Sequence, residues 1–566
     1  MPARKLHDPD RVADYLARGW WTEETMDAVF RERVAVDPDR EALVDPANKD
    51  ALVGMPARRL TWRELDREVD RLAGIFLDHD LEPGHVLGVQ LPNTVELVAT
   101  ILAAWRIGLV VSPLPMQYRG HEFRTLGQRA ETVAFVSIGR FGDRTPAEEA
   151  TTGSSDVPTL RTVMAFGDDL PDGVVPLDTA GVPDSTRILA HQAAHPTDPN
   201  DCLTICWTSG TTSIPKGVPR CHLDWIAISR VTISAPALTA DDVLLNPFPM
   251  VNMAGINGMF LPWLRVGGVL VQHHPFDLPT FLGQIQQERA TYTVAPPALL
   301  SMLLARPEIL QQVDISSLRV LGSGSAPLPP EMVRAWDRDH GIGIINFFGS
   351  NEGIALLTTP TDVPDPVQRA RFFPNHAADR PWSNPLADAT GMRLVDLDTG
   401  EDVTQPGVPG ELHLAGPTVF SGYLAGDDVA SPFDDRGWLA TGDVFRIAGE
   451  DGEFLEFVDR AKDIIIRGGM NIASAELEGL IASHPAVAEV AVIGMPHEVL
   501  GEQVCAVVVP AADRTVTLAD VVGHLRAADI ASYKLPEQLV TRDDLPRNPV
   551  GKVLKHQLVA ETRSST

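Results

Sequence analysis

From about residue 60 to residue 350, short apolar runs alternate with longer segments of helical periodicity. The run HVLGVQLPN at 85–93 has the length and texture of a buried strand, and TVELVATILAAWRIG at 94–108 reads as a helix. The next run, LVVSPLP at 109–115, is strand-like again. Strands that alternate with helices build largely parallel sheets covered by helices, so the pattern predicts an α/β fold.

Three further local patterns refine this prediction. Thr61, Trp62, Arg63 and Glu64 read as a capping box that opens a helix ending near Asp80. Residues 141–200 are rich in Asp, Thr, Ser, Pro and Gly and show little periodicity, so we expect surface loops there. From about Gly391, apolar and polar residues alternate between Gly and Pro turns, which indicates a β-rich subdomain.

The length of 566 residues is too great for one hydrophobic core, so we expect more than one domain. The segment FVDRAKDIIIRGG at 457–469 precedes about a hundred residues of α+β texture. We therefore predict a large N-terminal domain at 1–459, made of layered α/β subdomains plus the β-rich part. A small C-terminal α+β domain is predicted at 460–566.

The chain is strongly acidic, with 47 Lys and Arg residues against 76 Asp and Glu residues and a net charge of −29. Such a surface repels nucleic acids and anionic membranes, so neither is expected as a partner. The N-terminus has no apolar signal segment, and the apolar stretch from Leu97 to Val111 is interrupted by Arg106. We expect a cytoplasmic protein without a membrane span; the sequence makes no prediction about its oligomeric state.

A loop rich in small polar residues follows the apolar strand DCLTICWT at 201–208. This loop, TSGTTSIPKG, runs from Thr208 to Gly217 and does not have Walker A spacing, because Gly210 and Lys216 are separated by five residues. Its backbone N–H groups, its hydroxyls and the Lys216 ammonium are groups that bind a polyphosphate. A solvated linker fits the same residues, so the loop alone leaves both interpretations open.

Three more segments carry candidate groups. In NFFGSNEG at 346–353, an aromatic residue beside a Gly turn can stack on a purine, and Glu352 can hold Mg²⁺. Asp443 in GWLATGDV can accept hydrogen bonds from ribose hydroxyls, and Lys552 in LPRNPVGKVLK lies on a Pro/Gly turn. Core aromatics, a turn aspartate and a solvated lysine are the alternatives at these places.

In this order, the loop, the aromatic–Gly–Glu turn, Thr-Gly-Asp, Asp-Arg-x-Lys-Asp and Gly-Lys resemble the adenylate-forming superfamily. That superfamily of AMP-binding enzymes contains acyl- and aryl-CoA ligases, stand-alone adenylation enzymes and luciferases. The resemblance extends from about Thr22 to Leu558. It implies that the C-terminal domain is mobile. Four of the seven lysines, at 216, 462, 534 and 552, fall in its motifs, which favours a functional reason for keeping them.

The resemblance also implies roles for individual residues. Lys552 and Glu352 would be catalytic, with Glu352 ligating Mg²⁺. Lys462 and Asp463 would form the interdomain hinge, and Gly468 and Gly469 would line the CoA channel. The acyl pocket would contain Val251, Asn252, Met253 and Gly324. ATP would be bound by Thr208, Ser209, Gly210, Thr211, Thr212, Lys216, Ser325, Ala326, Phe348, Gly349, Ser350, Asn351, Asp443 and Arg460.

Three positions depart from the family pattern. Ser213 stands where the loop usually has Gly, and Asn351 replaces the usual Thr before the Glu. Asn252 lies near the place where many relatives carry a His or an aromatic residue that closes the acyl pocket. The first two concern the phosphate site, and the third concerns the choice of acid.

The implied activity is that of an ATP-dependent carboxylic acid–CoA ligase with ATP, Mg²⁺ and CoA as cofactors and substrates. The acid would form an acyl-adenylate with release of pyrophosphate, and CoA would then form the thioester with release of AMP. The pocket segments contain no charge to pair a second carboxylate or an amine, which favours an apolar alicyclic, aromatic or medium-chain monocarboxylic acid.

Two alternatives remain at this point. The segments ARGWWTEET and RELDREVDRLA also resemble stand-alone aryl-acid adenylation enzymes, which load the phosphopantetheine of an acyl-carrier protein. A non-catalytic nucleotide-binding relative is the other alternative. The presence of Glu352, Asp443 and Lys552 together argues against that relative.

Overall fold

The computed structural model describes residues 5–178, 183–208, 215–424, 430–467, 470–497, 500–528, 530, 532–548 and 551–564. The chain divides into two units. The first contains Met1–His376, Arg380–Gly391 and Ala415–Gly437; the second contains Ala377–Asp379, Met392–Leu414 and Trp438–Thr566. The domain boundary at 459/460 stays a prediction.

Strands in the described part of the chain have the following bounds: β1 (Glu41–Val44), β2 (Arg59–Thr61), β3 (Val86–Val89), β4 (Val110–Pro113), β5 (Thr132–Ile138), β6 (Thr162–Phe166), β7 (Val175–Pro176), β8 (Cys202–Thr208), β9 (Lys216–Cys221), β10 (Val243–Asn246), β11 (Val269–Gln272), β12 (Tyr292–Val294), β13 (Val320–Gly324), β14 (Gly343–Gly349), β15 (Ala355–Thr358), β16 (Phe372–Pro374), β17 (Gly391–Val395), β18 (Asp402–Val403), β19 (Pro409–Ala415), β20 (Leu439–Ala448), β21 (Phe454–Arg460), β22 (Ile465–Arg467), β23 (Met470–Ile472), β24 (Val487–His497), β25 (Gly501–Pro510) and β26 (Gln538–Thr541).

Helices in the same part of the chain have these bounds: α1 (Pro9–Ala17), α2 (Met26–Val36), α3 (Lys49–Val53), α4 (Trp62–Asp78), α5 (Val95–Arg106), α6 (Gly120–Arg129), α7 (Pro146–Gly153), α8 (Ser185–Ala194), α9 (His222–Ser234), α10 (Met253–Gly255), α11 (Leu261–Val266), α12 (Leu278–Glu288), α13 (Pro297–Ala305), α14 (Pro307–Leu310), α15 (Pro330–His340), α16 (Pro366–Arg371), α17 (Ser474–Ala482), α18 (Leu518–Ala527) and α19 (Lys555–Ser564). A π-helical turn, Ile256–Phe260, joins α10 to α11.

The first unit contains two sheets. One has seven strands in the order β7-β6-β5-β3-β4-β8-β9, and the other has eight in the order β15-β14-β13-β12-β10-β11-β1-β2. Inner strands pair in parallel, while antiparallel pairs occur at β8–β9, β14–β15 and β1–β2. The predicted α/β class, with layered and largely parallel sheets, is confirmed.

The best-defined predictions from the sequence agree with the observed helices. Thr61 and Glu64 form the capping box of α4, whose last helical residue is Asp78. Every residue of α5 is buried, because this helix lies inside the main hydrophobic core. Its one cation, Arg106, donates hydrogen bonds to Asp27 Oδ1 at 2.9 Å and Asp70 Oδ1 at 2.6 Å.

The expectation of surface loops throughout 141–200 is wrong for much of that segment. Strand β6 is largely buried and pairs with β5 from Ala134↔Thr162 to Ile138↔Phe166, so it extends the parallel sheet. Helix α8 begins at Ser185 and is capped by Asp184, whose side chain accepts a hydrogen bond from the Arg187 backbone N–H. The sequence does not reveal this strand, because polar turns surround it and its burial depends on pairing with β5.

The second unit is built from two further groups of strands. Strands β21, β20, β19, β17 and β18 lie side by side in that order, which confirms the predicted β-rich subdomain. Strands β23, β22, β25 and β24 form another sheet, with β26 parallel to β25. Helices α17 and α18 pack on this sheet through Leu477, Ile481 and Leu525. None of the helices in the described ranges is long and apolar enough to cross a membrane.

Candidate functional site

The predicted acyl residues of the first unit, and many of its predicted nucleotide residues, lie at or just beyond the carboxyl ends of neighbouring parallel strands. Strands β10, β12, β13 and β14 are adjacent, and in such sheets ligands bind beyond these ends. Gly324 pairs with Phe347, and a Cβ atom there would lie only 2.2 Å from the Phe347 carbonyl oxygen. Ser325 follows with a left-handed φ of 66°. Glycine therefore allows β13 and β14 to approach closely at this edge.

The predicted acyl segment is tied to the turn after β14. The Met253 backbone N–H donates to Asn351 Oδ1 at 2.8 Å. A Cβ atom on Gly349 would lie 3.9 Å from Met253 Cγ. The Phe348 ring meets Phe373 edge-on, with ring centroids 5.5 Å apart. The structure thus brings the predicted acyl residue Met253 against Gly349 and Asn351 of the predicted ATP site.

The departures Asn252 and Asn351 both have structural partners. Asn252 Oδ1 accepts hydrogen bonds from the Ala254 and Gly255 backbone N–H groups, so it caps α10. The amide oxygen of Asn351 is engaged by Met253, which leaves the Asn351 side-chain nitrogen as the group able to replace the hydroxyl of the usual Thr. Val251 is buried next to this cap.

Glu352 lies in the turn between β14 and β15. The Tyr423 hydroxyl donates to Glu352 Oε1 at 3.0 Å, and the Glu352 carbonyl accepts from the Phe420 backbone N–H at 3.0 Å. Burial and the adjacent carboxylate raise the pKa of Tyr423, so the phenol stays a donor. Within the described ranges, Glu352 has no ion-pair partner within 4.0 Å. The Glu352 carboxylate is half-buried, and Tyr423 engages its Oε1 atom, so Oε2 can bind a hard divalent cation such as Mg²⁺.

The base of the predicted phosphate loop contacts Tyr423 and Leu424, next to the Glu352 carboxylate. Thr208 pairs with Lys216 across the β8–β9 hairpin. Lys216 Nζ lies 4.6 Å from the centroid of the Tyr423 ring, and the Leu424 N–H donates to the Gly217 carbonyl at 2.8 Å. Tyr423 therefore connects the lysine of the loop with the carboxylate of the turn. Ser209, Gly210, Thr211, Thr212 and the unusual Ser213 lie outside the described residues.

In the second unit, the predicted ribose residues form an ion pair. Asp443 on β20 faces Arg460 at the end of β21, and Arg460 Nε lies 3.2 Å from Asp443 Oδ1. The Asp443 side chain is 4% exposed, so the arginine offsets the cost of burying its charge. Strand pairing thus explains how two residues seventeen positions apart meet.

Lys552 belongs to the same cluster of charges. Its backbone N–H donates to Asn548 Oδ1 at 2.8 Å, which closes a tight turn with Gly551 at φ 86°. The surrounding protein lowers the pKa of Lys552 to about 8, first by partial removal of water and second through the charges of Arg460 and Lys462, although the residue itself is exposed. Asp443 and Asp463 oppose this shift.

The predicted hinge residue Lys462 is affected by the same charges. Partial removal of water lowers its pKa, and Arg460 acts in the same direction, although the residue itself is exposed. The charges of Asp443, Arg460 and Asp463 thus act on the pKa of both lysines, Lys462 and Lys552. Gly468 and Gly469, predicted for the CoA channel, lie outside the described residues.

The sequence did not single out Tyr423 or Arg220, although both contact the turn that carries Glu352. A tyrosine after a Gly in SGYL and an arginine inside an apolar strand carry no recognisable pattern. The importance of Arg220 becomes visible only in the structure, where it is buried in β9 and therefore needs partners.

Comparison with known proteins supplies the family. The model of the AMP-binding enzyme family matches residues 30–424, and that of the AMP-binding enzyme C-terminal domain matches residues 476–552. The chain belongs to the AMP-binding enzymes. It is accordingly an adenylate-forming acid–thiol ligase.

Several relatives align with nearly the whole length of this AMP-binding enzyme. An indoleacetate–CoA ligase of Aromatoleum aromaticum is 34% identical over 531 residues, which is 92% of this chain and 97% of the relative. A salicyl-AMP ligase/salicyl-S-ArCP synthetase of Mycobacterium tuberculosis is 32% identical over 577 residues, covering 98% and 94%. Among solved structures, ATP-bound MatB of Rhodopseudomonas palustris has a TM-score of 0.77 at 26% identity and covers 96% of this chain and 100% of its own.

Proposed function

We propose that the protein is an ATP-dependent carboxylic acid–CoA ligase whose substrate is an apolar monocarboxylic acid. The observation that carries the proposal is the Lys216–Tyr423–Glu352 connection, because it joins a phosphate-binding cation to a metal-binding carboxylate. The neighbouring Met253 and Asn351 place an apolar segment beside that turn. The similarity to an indoleacetate–CoA ligase over almost the full chain supports the same activity.

The first half-reaction would join the acid to the α-phosphorus of ATP. A carboxylate oxygen forms the new bond to phosphorus, and the bond between this phosphorus and the bridging oxygen of the β-phosphate breaks, releasing pyrophosphate. The main cost is electrostatic, since an anion approaches an anion. Mg²⁺, held by Glu352, would supply neutralising charge when bound. Lys216 would do the same at the phosphates, and Lys552 at the carboxylate and α-phosphate.

Asp443 and Arg460 would hold the ribose. The buried Asp443 carboxylate has the acceptors that ribose hydroxyls need, and Arg460 fixes its orientation. The second half-reaction would transfer the acyl group from AMP to the thiol of CoA. Lys552 would not be needed there, and a rotation at Lys462 and Asp463 would withdraw it.

The acid would be chosen by an uncharged pocket. The segments at 250–259 and 322–326 contain no acidic or basic residue, so a second carboxylate or an amine would be buried without a partner. Met253 offers a flexible apolar surface that adapts to different ring or chain shapes. Aromatic, alicyclic and medium-chain monocarboxylic acids fit this chemistry.

A second candidate is an aryl-acid adenylation enzyme that loads an acyl-carrier protein. The relative named as a salicyl-AMP ligase/salicyl-S-ArCP synthetase, with 98% of this chain covered, favours it. The two candidates share the first half-reaction and differ in the thiol that accepts the acyl group.

The deciding experiment is acid-dependent release of pyrophosphate from ATP. The acids would be benzoate, salicylate, indoleacetate, cyclohexanecarboxylate and octanoate, with succinate and phenylalanine as the charged controls. We expect release with at least one monocarboxylic acid and thioester formation with CoA. A thioester formed only on a phosphopantetheinylated carrier would establish the second candidate, and an inactive panel would contradict both.

A further inference from the structure

Arg220 lies on β9, four residues after Lys216, and its side chain is fully buried. Its Nε and Nη2 both donate to the backbone carbonyl of Asn351, the residue before Glu352. Its Nη1 donates to the Thr418 carbonyl at 2.8 Å. One guanidinium therefore binds two separate segments, the turn at 349–353 and the segment at 418–424.

These same two segments hold the Glu352 side chain. The Thr418 hydroxyl donates to the Gly353 carbonyl at 3.0 Å, and Tyr423 donates to the Glu352 carboxylate. Gly353 has a φ of 120°, and a Cβ atom there would lie 2.2 Å from the Thr418 carbonyl oxygen. The turn is therefore fixed on both sides of Glu352, and Arg220 lies at the point where both segments meet.

The charge of Arg220 is balanced without Glu352. Its Nη1 lies 3.3 Å from Asp224 Oδ2, and Asp224 also accepts from the Cys221 backbone N–H at 3.0 Å. The guanidinium lies over the rings of Trp225 and Phe420, at 5.4 Å and 5.9 Å. Arg220 thus fixes backbone carbonyls while the anionic charge of Glu352 stays available for a cation.

We propose that Arg220 is a positioning residue of the adenylation half-reaction, acting through the Asn351 and Thr418 carbonyls on the Glu352 carboxylate. The proposal rests on the proposed role of Glu352 as the ligand of Mg²⁺. A lysine at this position keeps the charge but cannot donate to both carbonyls and Asp224 in the same fixed planar geometry. Residues that orient a metal ligand typically contribute about 10–100-fold to metal affinity or activity.

The test compares Arg220→Lys with Arg106→Lys. Arg106 is a matched control, since its side chain is equally buried and bound to carboxylates, in α5. The first readout is the Mg²⁺ concentration that gives half-maximal pyrophosphate release at saturating ATP. We expect Arg220→Lys to raise it by about 10-fold or more and Arg106→Lys to leave it unchanged. An unchanged midpoint in Arg220→Lys would overturn the proposal.

A second readout needs neither metal nor turnover. Amide hydrogen exchange of the metal-free enzyme should increase in both segments, 349–353 and 418–424, in Arg220→Lys, and in neither segment in Arg106→Lys. Equal exchange in these segments for wild type and Arg220→Lys would contradict the proposal. If Arg220→Lys does not fold, the double variant Arg220→Gln, Asp224→Asn replaces it. This variant removes both buried charges and keeps one amide group as a donor. The expected and the contradicting results are the same as for Arg220→Lys.

Glu352→Gln distinguishes a failure of the proposed metal-binding role of Glu352 from a failure of the positioning role of Arg220. If Glu352→Gln leaves the Mg²⁺ midpoint unchanged, the proposed role of Glu352 fails. If it raises the midpoint, the double variant Arg220→Lys, Glu352→Gln should be no worse than Glu352→Gln alone, because Arg220 acts through that carboxylate. A full further increase in the double variant would show that Arg220 acts independently and would overturn the positioning role.

Discussion

The low pKa of Lys552 predicts that adenylation is lost at alkaline pH. A free lysine has a pKa of 10.5, and the surrounding protein lowers that of Lys552 to about 8. Its ammonium form is the one that offsets negative charge, so activity should follow the protonated fraction. That fraction is about one half at pH 8 and about one tenth at pH 9. The value of kcat/KM for ATP should therefore fall about tenfold for each further unit of pH.

The assay is pyrophosphate release at limiting ATP between pH 6 and pH 10, with circular dichroism to verify folding at each pH. Because kcat/KM reports the free enzyme and kcat the bound complex, the phosphates of ATP should shift the fall in kcat to higher pH. Lys552→Arg is the matched control. Its guanidinium stays charged, so whatever activity it retains should show no such fall below pH 10.

Two results would refute this reasoning. A wild-type kcat/KM that stays constant to pH 10 would show that Lys552 is not the group being titrated, or that its pKa is not lowered. The same fall near pH 8 in Lys552→Arg would assign the titration to another group.

Two further predictions concern packing in the first unit. Lys49 is fully buried and contacts Asp45 Oδ2 and Glu96 Oε1, each at 2.7 Å. Lys49→Met removes this shared cation and leaves only the more distant Arg58, 3.8 Å from Glu96. It should lower the free energy of unfolding by about 3–5 kcal/mol in urea titrations, and no loss would contradict the pairing. Asn252→Ala removes the cap of α10 and should raise KM for the acid several-fold while leaving KM for ATP unchanged. Equal changes in both KM values would contradict the assignment of Asn252 to the acyl pocket.

The parallel core of the fold was predictable because its signals are local. A buried strand such as β3 and a largely apolar helix such as α5 are recognisable from a few consecutive residues. Strand β6 was missed because its burial depends on pairing with β5, which sequence periodicity does not record. The predicted site residues could be identified only because their motifs resemble a family in a fixed order.

The contacts that hold the site were not predictable in the same way. Arg220 and Asn351 are 131 positions apart, and Tyr423 and Glu352 are 71 apart, so only the folded chain brings them together. The scarcity of lysine was also an incomplete guide. Lys49, outside all motifs, pairs with two buried carboxylates, and Lys555 lies 2.8 Å from Glu478. Structural ion pairs as well as chemistry therefore account for the lysines this chain contains.

The central claim is that Lys552 acts in the first half-reaction alone. The most direct test measures Lys552→Ala in both halves: pyrophosphate release from acid and ATP, and thioester formation from preformed acyl-adenylate and CoA. Loss of an electrostatic donor of this kind typically costs about 10²–10³-fold in rate. We predict a loss of that size or greater in adenylate formation and a nearly unchanged rate of thioester formation. An equal loss in both halves would contradict the account.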